Sequence, residues 1–171
     1  MLTIIMECRD NEAELAQTLS VLVAGAVEGL VRDVIVLDHG SGDGSAAVAD
    51  AAGCRFLTDW DLADVVRSAR GDWLLLLEPG ARPLRGWVDA VAEHMAVDSK
   101  PARFLASRSH RPSFLKRLVR RAAPLEEGYL VRKSEALEAV RPGLALSGLA
   151  RRGAGRLVAE IVPAWALRRP A

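Results

Sequence analysis

Cysteine is scarce in this chain. Cys8 and Cys54 are the two present, and they lie too far apart to match a zinc or dithiol spacing. A disulfide framework and a thiolate metal centre are therefore excluded, and both read as reduced thiols in a reducing compartment. Aromatic residues make up only 5%, and none interleave with the basic residues of the second half, so no nucleic-acid partner is expected. No apolar run approaches the roughly 20 residues of a membrane-spanning helix. The run Trp73–Leu77 is long enough for a buried strand and nothing more. Leu2–Met6 is too short for a secretory signal and runs at once into Glu7. The expected location is the cytoplasm. A glycine-rich phosphate loop with a lysine near the N-terminus is also missing, which argues against a nucleotidyltransferase.

What is present fits one globular domain. The chain has 171 residues, 50% hydrophobic and 26% charged. Its net charge of +1 hides an asymmetry. Residues 1–100 carry 8 Lys/Arg against 17 Asp/Glu, whereas residues 101–171 carry 15 against 5. Such a split implies two surfaces with different partners. We expect a single domain over 1–171, with an acidic half over 1–97 and a basic half over 98–171.

Hydrophobic periodicity orders the first half as strand and helix in alternation. Leu2–Met6 reads as a strand, and Leu15, Leu19, Leu22 and Val23 mark a helix whose end Gly25 and Gly29 loosen. Val34–Leu37 is a continuous apolar run, as expected of a parallel strand covered on both faces. Ser45–Ala52 reads as a short helix ended by Gly53, Cys54–Leu57 as a strand, and Leu62–Ala69 as a helix face. Trp73–Leu77 is a strand broken by Pro79-Gly80, and Trp87–Met95 is amphipathic. Further on, Gly128–Val131 reads as a strand, Ser134–Val140 as a helix capped by Ser134, and Leu157–Val162 as a last strand. The order implies a mainly parallel sheet with helices on both faces. Ligands bind such sheets beyond the carboxyl ends of the strands, here the turns Glu7–Asn11, Asp38–Gly44 and Glu78–Gly80.

The turn Asp38-His39-Gly40-Ser41-Gly42-Asp43-Gly44-Ser45 carries the most chemistry. Its glycines permit positive φ and close approach of a ligand to the backbone. Asp38 at the strand end can accept hydrogen bonds from a base or a ribose, and Asp43 or Ser45 can cap the next helix. The same residues also suit an ordinary tight turn with helix caps. The glycine spacing does not match a dinucleotide fingerprint.

The segment VIVLDHGSGDGSAAVADAAG resembles the V-D-D-G-S-x-D-G-T stretch of family 2 glycosyltransferases, the inverting enzymes of GT-A fold. LTIIMECRDNEAELAQTLSVL is similar to that family's first strand, loop and helix. ARGDWLLLLEPGARPLRGW resembles its A-R-G-(D/E)-W-L-L-F-L-D-A-D-x-x-x-P-x-G-W block, and GYLVRKSEALEAV the strand and helix after the acceptor region. The resemblance implies a GT-A-like nucleotide-diphospho-sugar transferase fold and transfer of a sugar, with inversion, from a nucleotide-sugar to an acceptor. By position it gives Cys8, Arg9, Glu12 and Asp38 to the nucleotide, with Gly40 and Ser41 beside them.

Departures from the pattern matter as much. Glu7-Cys8 replaces a usual Pro-Thr pair, and His39, which also reads as a solvated loop residue, replaces a second Asp. The family's D-x-D motif, whose carboxylates hold Mg²⁺ or Mn²⁺ against the diphosphate, is reduced to Glu78-Pro79-Gly80. Glu78 is the one metal-ligating carboxylate that remains. An inverting transferase also needs a general base, yet Arg141–Gly153 contains no Asp or Glu. Glu126 and Glu127 are the nearest acids and the candidates for that role. These losses keep a second reading open, a catalytically inactive nucleotide-sugar-binding or partner-binding protein of the same fold. Between Arg108 and Arg121, Phe114, Leu115, Leu118 and Val119 form an apolar stripe flanked by Lys116, Arg117, Arg120 and Arg121. Such a helix suits either packing on the domain or contact with an anionic membrane surface and a lipid-linked acceptor, which would place the chain at the inner face of a membrane.

Overall fold

The computed structural model describes residues 1–110 and 123–167. Most of the basic stretch Arg108–Arg121, with its expected membrane-facing helix, lies outside them. Eight strands form one sheet in the order β3-β2-β1-β4-β7-β6-β8-β5. Its centre is β1 (Leu2–Cys8), flanked in parallel by β2 (Val31–Asp38) and β4 (Trp73–Leu77). The short β3 (Arg55–Leu57) extends the parallel run on the outside of β2. This is the mixed α/β, mostly parallel architecture expected from the sequence.

Alternation along the central strands builds two cores. Ile4, Met6, Val36, Leu75 and Leu77 face α1 (Glu12–Val27), α2 (Ser45–Ala51) and α4 (Trp87–Val97). Ile5, Ile35, Leu37, Leu74 and Leu76 face α3 (Leu62–Ser68) and α5 (Lys133–Ala139). Every residue of β4 is buried, which is why its sequence is apolar without interruption. Each such leucine contributes about 1.5–3 kcal/mol by leaving water. Gly25 does not end α1. A Cβ there would lie 2.6 Å from the Trp87 ring, so this glycine lets α1 and α4 pack closely.

The structure departs from the sequence reading in three ways. β7 (Tyr129–Arg132) joins β4 antiparallel, pairing Leu130 with Leu75. Two strands were not read from the sequence: β5 (Arg82–Pro83) and β6 (Ala102–Ala106), which lies parallel to β8 (Gly155–Val162). Ser134 is not the cap of α5. The strand β7 runs straight into the helix, leaving extended Arg132 at the cap position and Ser134 inside the first turn. Lys133 supplies the anchorage, its Nζ donating to the carbonyls of Arg67 at 2.9 Å and Ala69 at 2.7 Å at the end of α3.

Candidate functional site

The loops after β1 and β2 are zipped together by reciprocal hydrogen bonds. Asp10 Oδ1 accepts the Gly42 amide at 2.7 Å, and Ser41 Oγ accepts the Asp10 amide at 3.0 Å. Asp43 Oδ2 accepts the Glu12 amide at 2.9 Å, while Glu12 Oε2 accepts the Gly44 amide at 3.0 Å. Asp43 Oδ1 also accepts the Ser45 amide at 3.0 Å, but the cap position of α2 is Gly44, so neither of the two expected residues stands at the cap. Ser45 Oγ instead accepts the Asn11 amide at 3.3 Å. The bonds to the Asn11, Glu12, Gly44 and Ser45 amides satisfy donors at the starts of α1 and α2 that have no intrahelical partner.

Asp38 organises the turn from within. It is only 5% exposed. Its carboxylate accepts the amides of Gly40 and Ser41, each at 3.1 Å, together with the Ser41 hydroxyl and, at 3.5 Å, the Cys8 thiol. Burial alone would raise its pKa. The hydrogen bonds from Ser41, Cys8 and Gly40 outweigh burial and hold it below the usual carboxylate range. Burial pushes the Cys8 thiol up to about 12, with Asp38 adding to the rise against Ser41, and burial takes Cys54 to about 11. Both thiols therefore stay protonated at neutral pH, and Cys8 serves as a donor rather than a nucleophile.

Beyond the carboxyl ends of β1 and β4 opens a cleft of about 430 Å³. Glu7 and Asn11 line it from the β1 side, Glu78 and Pro79 from the β4 side, and Leu125, Ser147 and Trp165 from the second half. Glu7 Oε1 accepts the Leu146 amide at 2.8 Å, and Oε2 lies 3.7 Å from His39 Nε2. The His39 ring meets Trp60 edge-on, with centroids 5.2 Å apart, and Trp60 Nε1 donates to the Asp38 carbonyl at 3.1 Å. His39 thus lies between Trp60 and Glu7 while its side chain stays 46% exposed, in keeping with a solvated loop residue.

The two acids at 126 and 127 are used differently. Glu126 is 6% exposed. It accepts the Trp165 indole N–H and the Ala123 amide, so it braces one wall of the cleft. Glu127 pairs with Arg156 on β8. Arg103 stacks on Tyr129, with 4.9 Å to the ring centroid, and donates to the carbonyls of Pro124 and Gly128, which fixes the turn carrying both acids.

The structure brings Glu78 to the cleft, with Cys8 and Asp38 paired at the ends of β1 and β2 and Gly40 and Ser41 on the turn beyond. Glu12 points elsewhere, into a separate acidic depression with Asp10, Glu14 and Asp43. Arg9 is exposed at the start of the loop after β1. Sequence reasoning did not single out Asn11, Ser147 or Trp165, which no local periodicity marks.

The donor set does not fit a resident divalent cation. Among the described residues, no three His, Cys, Asp or Glu side chains come together to hold a metal ion. Gly80, at the position of the second carboxylate, has φ +97°, and a Cβ there would lie 3.3 Å from the Ala164 carbonyl. An aspartate is therefore strained at that position as well as missing.

No family model matches the chain, and no curated protein matches it either. Solved structures do. Glucosyl-3-phosphoglycerate synthase from Mycobacterium tuberculosis, in complex with Mn²⁺, UDP and glucosyl-3-phosphoglycerate, superposes with a TM-score of 0.59 and 17% identity over 80% of this chain. The same enzyme with Mn²⁺ and UDP-glucose gives 0.59 and 18% over 84% of this chain, and with Mg²⁺ and UDP 0.58 and 18% over 80%. The chain spans 57–60% of the length of that protein. At such identity the likeness is one of fold, and the chain has the GT-A-like fold of these glycosyltransferases.

Proposed function

We propose that the chain binds a nucleotide-sugar at the carboxyl ends of β1, β2 and β4 and transfers the sugar, with inversion, to an acceptor hydroxyl. The observation that carries this reading is the convergence of the β1 and β4 loops on one cleft, with the β2 turn hydrogen-bonded to the β1 loop beside it, in a fold shared with an enzyme that binds UDP-glucose. Parallel α/β sheets place ligands at this edge.

Asp38 acts in this reading mainly through the turn it holds. By fixing the Gly40 and Ser41 amides it presents a rigid backbone edge to the nucleotide, and the buried Cys8 thiol supports it from below. Arg9 offers the exposed guanidinium on the nucleotide side. Glu12 contributes by locking the turn through Gly44. Glu78 and Glu7 face the sugar and the acceptor across the cleft. No step is assigned to a metal, because the described donors do not build a site for one.

The test is release of nucleoside diphosphate from UDP- and GDP-sugars, with water or simple sugars as acceptor. Turnover that stops when the cleft is blocked by Ser147→Trp supports the reading. Nucleotide binding without any turnover would reduce the protein to a nucleotide-sugar-binding member of the fold.

A further inference from the structure

The described cleft holds a carboxylate suited to base catalysis at a place that the sequence pattern did not point to. Arg141–Gly153 contains no acid, yet this stretch reaches the cleft through Leu146 and Ser147. The carboxylate it meets there belongs to Glu7, from the other end of the chain. Glu7 is partly open to the cleft, its side chain 25% exposed. Glu126 and Glu127 are engaged by Trp165 and Arg156 respectively. Glu7 is held at both ends of its carboxylate, Oε1 by the Leu146 amide at 2.8 Å and Oε2 beside His39 at 3.7 Å. Edge contact with Trp60 seats the His39 ring in turn. A base fixed in this way needs little reorganisation when it takes a proton.

We propose that Glu7 is the general base for the acceptor hydroxyl, with His39 as a positioning residue. This rests on the transferase reading above. In the step, the acceptor oxygen forms its bond to the anomeric carbon of the sugar while the bond from that carbon to the diphosphate oxygen breaks. The electron pair of the broken bond leaves with the nucleoside diphosphate. The hydroxyl proton passes to Glu7 and from there to solvent.

The test uses the full chain and UDP-glucose, UDP-galactose, GDP-glucose and GDP-mannose, with water as acceptor. Glu7→Gln is expected to lower kcat by about 100-fold or more, while the donor dissociation constant stays within about threefold of wild type. A residue that merely props up the fold would shift affinity and melting temperature together. Glu7→Ala gives a second, independent reading: added sodium formate is expected to restore part of its lost turnover by refilling the carboxylate position. Wild-type turnover in Glu7→Gln would overturn the assignment, as would an Ala defect that formate leaves unchanged. If wild type releases no UDP or GDP from any of the four donors, the transferase reading falls and this one with it. If wild type turns over and Glu7→Gln equals it, only the base assignment falls.

Discussion

Thr18 on α1 accepts the amide of Gly80 at 2.8 Å and, through the same hydroxyl, donates to the Glu14 carbonyl at 3.1 Å. The helix that follows β1 is thereby tied to the loop that follows β4. Gly80 also donates to the Glu14 carbonyl at 3.1 Å, so its backbone is committed to α1 with φ at +97°. The joint fixes the loop that carries Glu78, and it disfavours a second carboxylate at Gly80.

Restoring the missing acid is therefore expected to fail. Gly80→Asp places a side chain on a positive-φ residue close to the Ala164 carbonyl and should destabilise the protein by about 1–3 kcal/mol. Thermal or urea unfolding measures the loss, and calorimetry of the folded variant should show no gain in Mn²⁺ affinity. A stable variant that binds Mn²⁺ tightly would contradict this account of the loop.

Mn²⁺ titrated into the wild-type chain without nucleotide should bind weakly, with a Kd of about 1 mM or above, because a single loop carboxylate is a poor site for a hard cation. Isothermal calorimetry checks this directly. A micromolar Kd would mean that carboxylates outside the expected loop assemble around the ion.

Acid should weaken the fold through Asp38. Its folded pKa is lowered, so the stabilisation is fully present above the unfolded value of about 3.9 and is lost as pH falls through the folded value. Asp43 is lowered in the same direction, first by its hydrogen bond with Ser45. Asp38→Asn should cost about 1–3 kcal/mol at pH 7 and make the decline of stability below pH 4 shallower. Urea unfolding between pH 2 and pH 7 reads both effects. An unchanged acid limb would remove Asp38 as its source.

The fold was legible where burial writes a simple pattern. Trp73–Leu77 and Val34–Leu37 are covered on both faces, and nothing else explains such runs in a chain that is otherwise a quarter charged. The strand Ala102–Ala106 was hidden because Arg103 interrupts its apolar residues, and that arginine has a local purpose in stacking on Tyr129. Arg82–Pro83 is two residues long and is a strand only because β8 lies beside it. The antiparallel direction of β7 is a property of the path between strands, which residue periodicity does not encode. The turn from Asp38 to Ser45 could be read as a binding loop from its glycines and acids, but its locking to Asp10 and Glu12 could not, since those contacts span more than 30 residues. Glu7 is the extreme case: its partner Leu146 is 139 residues away.

The most direct measurement is a calorimetric titration of UDP, GDP and their sugars into the full chain, with and without Mn²⁺. The account predicts saturable one-to-one binding of at least one of these nucleotides, weakened at least tenfold by Arg9→Ala and changed less by removal of Mn²⁺ than by that substitution. Absence of binding by every nucleotide, with and without Mn²⁺, would contradict it and leave the GT-A-like fold without the function proposed for it.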